Sequence, residues 1–382
     1  MNVAFDASPL VGDLISGVGW CEANLTAALT RLHPELSYRF EYFTMREPEE
    51  KVRRMQPFLQ ENTPLHPARF SPLAYRMMTN IVPVPYRMFQ GKWADITHFF
   101  NYIVPPGVHG KTVVTIHDMV IRAYPETMRC RTRLLLQTGL RRSMHRADRI
   151  VTDSEFSRRE IEKYYPKYAD KVRVVPCGVD TERFAPASDT EIEKVRQRHH
   201  LPEQYFLYLG TLEPRKNLVR LIEAYGLLRE KHPDAPPLVL AGGKGWQYEQ
   251  IFHASTRKNV RGYVLFPSYI PAEDMAALYS GALAFIFPSL YEGFGMPPLE
   301  AMACGCPVMA ANAASLPEAV GNAALLCNPH KTEAIAKGLE MLWKNGSLCE
   351  KLRQRGFIRA AAMSWDNAAE KLFQVYREIG TE

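Results

Sequence analysis

The 382-residue chain lacks the sequence features of several protein classes. Its seven cysteines are scattered and include no paired Cys-x2-Cys set, so the sequence indicates no disulfide framework, and Cys304-x-Cys306 alone is a weak metal signal. No apolar run approaches the roughly 20 residues needed to span a bilayer. The N-terminus carries Asp6 and no basic segment, which predicts that it is not a signal peptide. We therefore expect a protein of a reducing, cytoplasmic compartment.

Neither sign of charge is in large excess, because 47 Lys and Arg residues stand against 41 Asp and Glu residues. No nucleic-acid recognition motif accompanies the formal charge of +6, so we expect no nucleic-acid partner. The Gly-x-Gly-x-x-Gly fingerprint is absent, which disfavours a dehydrogenase. The sequence contains no Asp-x-Asp tract that would bind a metal ion, and we predict no metal ion and no cofactor. The ordinary composition and the length predict two globular domains.

One stretch combines a strand, a glycine-rich turn and the start of a helix. Residues 283–287 form a short apolar run typical of a buried strand, and Pro297 and Pro298 open a run of good helix formers. Gly293 and Gly295 between them allow a backbone to approach a ligand closely. The helix N-terminus offers free N–H groups and the positive end of the helix dipole. The pattern therefore predicts a phosphate site.

Carboxylates and cations complete this prediction. Glu292 and Glu300 flank the turn, and carboxylates accept hydrogen bonds from hydroxyl groups. A phosphate with hydroxyl-rich groups on both sides describes a nucleotide-sugar. Arg215 and Lys216 follow a second strand and glycine turn at the start of another helix, where both suit a diphosphate. Cations placed there would stabilise the charge that develops on a departing diphosphate.

The N-terminal half offers further candidates. Residues 111–116 form a clear strand that ends in His117, and ligands of open α/β sheets bind beyond the carboxyl ends of strands. Gly17 and Gly19 lie in a predicted loop between a first strand, at residues 2–5, and a helix predicted over residues 20–32. Each of these positions is compatible with a binding site.

Two stretches carry basic and apolar side chains together. Eight arginines between residues 121 and 150 suggest a basic amphipathic helix that meets anionic lipid, a polyanionic acceptor or only solvent. Residues 45–92 interleave similar side chains, which favours packing on the core with solvated charges over an acceptor-facing or membrane-facing surface. Strands alternating with helices predict mostly parallel sheets.

The segment from Glu292 to Glu300 resembles the Glu-x7-Glu signature of retaining glycosyltransferases, specifically glycosyltransferase family 4. The resemblance covers nearly the whole chain and is strongest over residues 205–330. It implies an α/β protein of GT-B fold, with two facing Rossmann-like domains and an interdomain cleft. The implied N-terminal, acceptor-side domain covers residues 1–185, the nucleotide-sugar-binding domain covers residues 186–360, and a C-terminal helix at residues 361–382 crosses back to the first domain.

The resemblance also implies roles for single residues. His117 would contact the donor sugar near the reacting carbon, and Glu292 would bind the sugar hydroxyls, so these two are the catalytic candidates. Glu300 would bind the ribose hydroxyls. Backbone near Tyr269 and Ile270 would contact the nucleobase. The other implied donor-binding residues are Gly17, Gly19, Arg215, Lys216, Gly293, Phe294, Gly295 and Met296. Family members of this fold generally work without a metal ion, and the implied outcome is retention of configuration.

Residues 210–217 and 289–295 most resemble bacterial mannosyltransferase-B-like enzymes of O-antigen or exopolysaccharide synthesis. This implies a hexosyltransferase that moves mannose from GDP-mannose to a glycan or lipid-linked glycan. The basic region 122–149 could make a peripheral contact with the inner face of the cell membrane. A nucleotide-sugar 2-epimerase is one alternative, which would change the sugar without an acceptor. A non-catalytic membrane-surface adaptor is another, which would bind anionic vesicles but no nucleotides.

Overall fold

The computed structural model describes residues 1–11, 15–45, 53, 55–56, 59, 63–128 and 130–380. The chain forms two compact units. Unit 1 contains Met1–Arg122, Cys130–Gly178 and Trp365–Glu382, and unit 2 contains Ala123–Arg129 and Val179–Ser364. Each unit is built around one parallel β-sheet.

Among the described residues, the sheet of unit 1 has seven strands, all paired in parallel. They are β1 (Asn2–Asp6), β2 (Ser37–Thr44), β3 (Leu65–Arg69), β4 (Ile96–Phe99), β5 (Lys111–Thr115), β6 (Arg149–Thr152) and β7 (Val172–Val174). Their spatial order is β3-β2-β1-β4-β5-β6-β7, so the direction of the order reverses between β1 and β4. This is the order of a doubly wound Rossmann fold, extended by one strand.

The sheet of unit 2 has six strands, again all parallel. They are β8 (Phe206–Leu209), β9 (Leu238–Ala241), β10 (Val264–Leu265), β11 (Ala284–Phe287), β12 (Val308–Ala311) and β13 (Ala324–Cys327). The order β10-β9-β8-β11-β12-β13 reverses between β8 and β11. All four residues of β8 and of β11 are buried, as expected for central strands with both faces covered.

Helices connect the strands. In chain order the described helices are α1 (Gly17–Leu32), α2 (Pro72–Ile81), α3 (Arg87–Gln90), α4 (Val120–Ala123), α5 (Cys130–Arg146), α6 (Glu155–Tyr164), α7 (Asp189–Arg198), α8 (Leu218–Lys231), α9 (Glu249–Ser255), α10 (Met275–Ser280), α11 (Met296–Ala303), α12 (Leu316–Val320), α13 (Thr332–Lys344), α14 (Gly346–Ala362) and α15 (Trp365–Gly380). The alternation of strands and helices confirms the predicted α/β class with two Rossmann-like domains.

Two helix predictions were wrong in detail. Helix α1 begins at Gly17, because the Ser16 side chain accepts a hydrogen bond from Gly19 N and caps the helix one turn earlier than predicted. The basic stretch is not one helix, since Pro125 begins a 3-10 turn between α4 and α5 and the strand β6 begins at Arg149. Arg129, one of its eight arginines, lies outside the described residues.

The C-terminal helix α15 packs within unit 1. Tyr376 OH lies 2.7 Å from His98 Nδ1, which belongs to β4. Glu378 accepts from Arg149 Nε at 3.2 Å and from Arg173 Nε at 2.9 Å, at the starts of β6 and β7. These contacts attach α15 to the sheet of unit 1. Within the described ranges, no helix is both long enough and apolar enough to cross a membrane.

Candidate functional site

In unit 2 the loops that follow β8 and β11 meet at one edge of the sheet. The two strands are parallel neighbours, with Phe206 opposite Ala284, so their carboxyl ends point the same way. Leu290 N donates to the carbonyl oxygen of Arg215 at 2.9 Å, which joins the two loops directly. This is the point where the strand order reverses, and open α/β sheets bind ligands at such points.

A buried carboxylate lies between two cations at this point. Arg215 Nη1 donates to Glu292 Oε2 at 2.8 Å, and Lys216 Nζ donates to Glu292 Oε1 at 2.6 Å. Burial alone would raise the pKa of Glu292, but the charges of Arg215 and Lys216 outweigh it and lower the pKa to about 2. Burial lowers the pKa of Lys216, although Glu292 opposes that shift. The structure thus brings together three of the predicted residues as an ionised group.

Two residues that the sequence analysis missed hold this group in place. Glu213 Oε1 accepts from Arg215 Nη2 at 2.8 Å, so the guanidinium is bound by two carboxylates. Asn217 has a left-handed backbone with φ of 61°, and its Nδ2 donates to the carbonyl oxygens of Pro288 at 3.1 Å and Pro329 at 2.7 Å. Both residues adjoin the predicted basic pair, but only the folded loops show what they contact.

Ser315 fixes the backbone of the glycine-rich turn by hydrogen bonds. Its Oγ donates to the carbonyl oxygens of Glu292 at 2.9 Å and Phe294 at 2.8 Å. Gly295 precedes α11 with a φ of 119°, and a Cβ there would lie 2.7 Å from a methyl carbon of Leu316. The turn is therefore built for glycine at this position.

The start of α11 offers few free amides to an anion. Gly295 is the N-cap, and Pro297 and Pro298 have no N–H, so the amides that this helix start leaves without an intrahelical acceptor are those of Gly295 and Met296. The described part of the chain supplies no side-chain cap for this turn. An anion bound here would therefore depend mainly on the side chains of Arg215 and Lys216.

Glu300 has a different environment from Glu292. It lies in α11, and its Oε2 accepts a hydrogen bond from Tyr279 OH at 2.9 Å. Burial raises the pKa of Glu300 to about 7, against the opposing effects of Tyr279 and Arg183. Glu300 takes no part in the ion pairs of Glu292, and its raised pKa means that it loses its proton at a much higher pH than Glu292 does.

The predicted nucleobase contacts lie in the loop after β10. The Tyr269 side chain is 61% exposed, whereas Ile270 is buried. Gly242 N, after β9, donates to the carbonyl oxygen of Ser268 at 2.7 Å and joins this loop to its neighbour. Tyr269 and Ile270 are thus at the same edge of the sheet as the ion pairs, but they contribute nothing to them.

The remaining predicted residues, Gly17, Gly19 and His117, belong to unit 1. His117 Nδ1 lies 2.7 Å from Asp153 Oδ2, and its Nε2 lies 2.8 Å from the carbonyl oxygen of Phe100. Since a carboxylate and a carbonyl only accept, both ring nitrogens carry protons. Burial alone would lower the pKa of His117, but Asp153 raises it to about 10. His117 is therefore an imidazolium with both nitrogens engaged, and Asp153, which the sequence analysis missed, follows β6 as His117 follows β5.

Gly19 lies in the first turn of α1 with no room for a side chain. A Cβ there would lie 2.8 Å from Ile15 Cγ2 and 2.9 Å from the carbonyl oxygen of Pro9. The requirement for glycine at this position is therefore explained by packing between α1 and the loop after β1.

Comparison with known proteins places these features in a family. The profile described as Glycosyltransferase Family 4 matches residues 15–183, and the profile described as Glycosyl transferases group 1 matches residues 189–359. The chain is 35% identical over 283 residues to the O-antigen chain mannosyltransferase B of Escherichia coli, a match that covers 74% of each chain. It is 32% identical to the serotype-specific mannosyltransferase WbdA of Escherichia coli, over 61% of this chain and 29% of that longer protein.

A solved structure shares the fold. The sucrose-phosphate synthase of Thermosynechococcus elongatus superposes with a TM-score of 0.76 over 99% of this chain and 98% of that chain, at 21% sequence identity. The likeness extends over both Rossmann-like units. Together with the family profiles, this confirms the predicted GT-B fold and the predicted hexosyltransferase class. The chain therefore belongs to glycosyltransferase family 4.

Proposed function

We propose that this enzyme transfers mannose from GDP-mannose to a glycan or lipid-linked glycan during synthesis of a cell-surface polysaccharide, with retention of anomeric configuration. The main support for a donor site is the pair of cations, Arg215 and Lys216, at the point where the strand order of unit 2 reverses. The choice of mannose is supported by the identity to an O-antigen mannosyltransferase.

In this proposal Arg215 and Lys216 bind the diphosphate, assisted by the amide of Met296. Negative charge develops on the diphosphate as the sugar departs, and cations that are already in place stabilise it most in the transition state. The two cations take over the role that a divalent metal ion has in other glycosyl transfers, so we expect activity without added metal. The sugar leaves and the acceptor enters from the same face.

The neighbouring residues bind the rest of the donor. Glu292 accepts hydrogen bonds from the sugar hydroxyls, and Glu300 accepts them from the ribose. Backbone of Tyr269 and Ile270 borders the base. Gly293, Phe294 and Gly295 form the turn that lets the donor approach the start of α11.

A panel of nucleotide-sugars tests the donor site. GDP-mannose, UDP-glucose, dTDP-glucose and ADP-glucose are each added with a chelator, and the melting temperature is recorded. A ligand at 100 times its Kd stabilises a protein by about 2.7 kcal/mol, which such a scan resolves. We expect a shift with GDP-mannose that is abolished in Arg215→Gln and retained in Arg257→Gln, a change of the same charge at an exposed site. No shift with any nucleotide-sugar in the folded protein would overturn the donor site.

Acceptor dependence tests the reaction itself. GDP-mannose is incubated with and without a mannoside that carries an alkyl chain, and the products are identified by mass spectrometry and NMR. We expect an α-linked product only when the mannoside is present. Conversion of the nucleotide-sugar without an acceptor would instead identify an epimerase.

The membrane contact belongs to the same proposal. The solvent-facing side of α5 exposes Arg133, Arg141 and Arg142, and Leu134 on that helix is 64% exposed. Cations beside an exposed apolar side chain suit the surface of an anionic bilayer, where a lipid-linked acceptor would be found.

Vesicle sedimentation tests this contact. We expect the protein to sediment with phosphatidylglycerol vesicles and not with phosphatidylcholine vesicles at low salt. Replacing Arg133, Arg141 and Arg142 by glutamine should abolish sedimentation. The control replaces three exposed cations of unit 2, Lys331, Lys337 and Lys351, by glutamine. Equal sedimentation of the two triple variants would refute a specific role for α5.

A further inference from the structure

Unit 1 contains a buried cluster of two thiols and a carboxyl group. Cys21 belongs to α1, Asp153 follows β6 and Cys177 follows β7. One ligand atom from each residue lies within 4.8 Å of the others, and all three residues are buried. We propose that Cys21, Asp153 and Cys177 bind one thiophilic divalent ion of the Zn²⁺ class, although the sequence predicted no metal site.

The separation of the two sulfur atoms fits ligands of one ion. Cys21 Sγ and Cys177 Sγ lie 3.5 Å apart. Two thiolates at about 2.3 Å from a tetrahedral zinc ion are separated by roughly 3.8 Å, whereas the sulfurs of a disulfide are about 2.05 Å apart. A small outward adjustment therefore gives metal coordination, while a disulfide would require a much larger approach. Three protein ligands leave the fourth tetrahedral position for a water molecule.

The charges of the cluster also balance. Cys21 and Cys177 are free cysteines, and a divalent ion that binds to both sulfurs displaces one proton from each. The charge of the ion then offsets the two thiolates, so the net charge of the cluster does not change. Uptake of the ion therefore buries no uncompensated charge, which would otherwise be strongly unfavourable.

His117 would hold the carboxylate ligand in position. Its Nδ1–H donates to Asp153 Oδ2, and its Nε2–H donates to the carbonyl oxygen of Phe100 at 2.8 Å. Such hydrogen bonds to a ligating group orient it and are a regular part of metal sites. The ion would connect α1 with the ends of β6 and β7, which are themselves paired as neighbouring strands.

A redox switch is the competing interpretation of two thiols in contact. Reactive cysteines have a depressed pKa and are accessible. Cys21 and Cys177 are both buried, so their sulfurs are shielded from solvent. This burial favours a bound ion over a thiol that exchanges with oxidants.

Cobalt binding tests the proposal on the full chain. The protein is purified without a metal-affinity step, stripped with a chelator under reducing conditions and titrated with Co²⁺. We expect one equivalent to bind, with a thiolate-to-cobalt charge-transfer band in the near ultraviolet that Zn²⁺ then removes. Zn²⁺ should also raise the melting temperature of the stripped protein.

The matched variants are two double substitutions. Cys21→Ser with Cys177→Ser should lose the charge-transfer band and the thermal shift. Cys304→Ser with Cys327→Ser, which alters two buried cysteines of unit 2, should keep both. Mass spectrometry of the unreduced protein checks for a disulfide between Cys21 and Cys177.

Three results would overturn the proposal. One is a folded wild-type protein that shows no thiolate band and no metal uptake above that of the Cys21/Cys177 variant. Another is a wild-type protein lighter than its reduced form by two hydrogens, with the disulfide mapped to these cysteines. The third is a thiolate band that persists in that variant. Should the double variant fail to fold, the single substitution Cys177→Ser is titrated in its place, and an unchanged thiolate band in that folded variant would equally overturn the proposal.

Discussion

Lys216 Nζ and Glu292 Oε1 lie 2.6 Å apart in a partly buried ion pair that joins the loop after β8 to the loop after β11. The second carboxylate oxygen of Glu292 is bound by Arg215 at 2.8 Å. The cations proposed to bind the diphosphate therefore already share the Glu292 carboxylate before a donor arrives, and Arg215 is also paired with Glu213. A diphosphate that binds to them has to share them with Glu292.

This sharing predicts opposite effects of Glu292→Gln on binding and on transfer. The amide has the same size but no charge, so it no longer repels the diphosphate or competes for Arg215 and Lys216. We expect the affinity for free GDP to rise about tenfold, which corresponds to about 1.4 kcal/mol. Turnover with GDP-mannose should fall, because the carboxylate proposed to orient the sugar is lost. Isothermal titration and a transfer assay measure the two effects.

The control for Glu292→Gln is Glu333→Gln, the same change at an exposed position of unit 2. It should leave the affinity for GDP and the turnover as in the wild type. A weaker affinity for GDP in Glu292→Gln would contradict the prediction and would show that Glu292 mainly positions the two cations.

The raised pKa of Glu300 predicts that donor binding depends on pH. Burial raises its pKa from 4.5 to about 7, so in the free protein the carboxyl is protonated below neutral pH. Ribose hydroxyls donate to the ionised form, and the affinity for GDP should therefore fall about tenfold between pH 8 and pH 6. In Glu300→Gln this dependence should be absent. A pH profile that is unchanged by the substitution would exclude Glu300 as its cause.

The same pKa shift predicts an effect on stability without a donor. A raised pKa means that the folded protein binds more protons than the unfolded chain between pH 4.5 and about 7. The contribution of Glu300 to stability therefore falls as the pH rises through this window and stays low above it. Glu300→Gln should accordingly gain stability relative to the wild type at pH 8 and not at pH 4, as measured by urea denaturation.

Much of unit 2 could be predicted from the sequence because its central strands are uninterrupted apolar runs. Residues 205–209 and 283–287 indicate β8 and β11 without any knowledge of their neighbours. Local hydrogen-bonding rules also worked at helix starts. Serine is a residue type favoured at helix N-caps, and the Oγ of Ser154, immediately before α6, accepts from Ser157 N at 3.0 Å.

The sequence analysis predicts neither β2 nor β3. In β2 the buried Arg39 and Glu41 alternate with aromatic residues, and Arg39 Nε donates to Glu41 Oε1 at 2.7 Å. Two charged side chains in a short stretch indicate a solvent-exposed segment. Only their ion pair in the folded protein explains why they are buried in a strand. Pro67 lies within β3, which is possible because β3 is an edge strand.

The contacts of the site were beyond prediction for a related reason. The types and positions of Arg215, Lys216 and Glu292 indicated an anion site, but the pairing of Lys216 with Glu292 depends on two strands that become neighbours only in the folded sheet. Cys21 and Cys177 are likewise 156 residues apart in the chain, so no spacing motif marks them.

Gly295→Ala should destabilise the protein. The residue has a φ of 119°, which L-amino acids rarely adopt, and the new Cβ would lie 2.7 Å from a methyl carbon of Leu316. We expect a loss of about 1–3 kcal/mol in the free energy of unfolding, measured by guanidinium denaturation. Gly346→Ala is the control, because a Cβ there meets nothing within 4 Å. Equal stability of the two variants would show that the turn adapts without strain.

Tyr376→Phe should loosen the attachment of α15 to the sheet of unit 1. Burial lowers the pKa of His98 to about 3, so its ring is neutral and needs one partner for each nitrogen. Thr115 Oγ1 lies 2.8 Å from Nε2, and Tyr376 OH lies 2.7 Å from Nδ1. Phenylalanine keeps the ring but leaves Nδ1 without this partner, which should lower the free energy of unfolding by about 1–3 kcal/mol.

The control is Tyr263→Phe. It removes a hydroxyl from a side chain that is 44% exposed and should change the free energy of unfolding by less than about 0.5 kcal/mol. Denaturation of both variants in guanidinium measures the difference, and an equal effect would mean that water replaces the Tyr376 hydroxyl at His98.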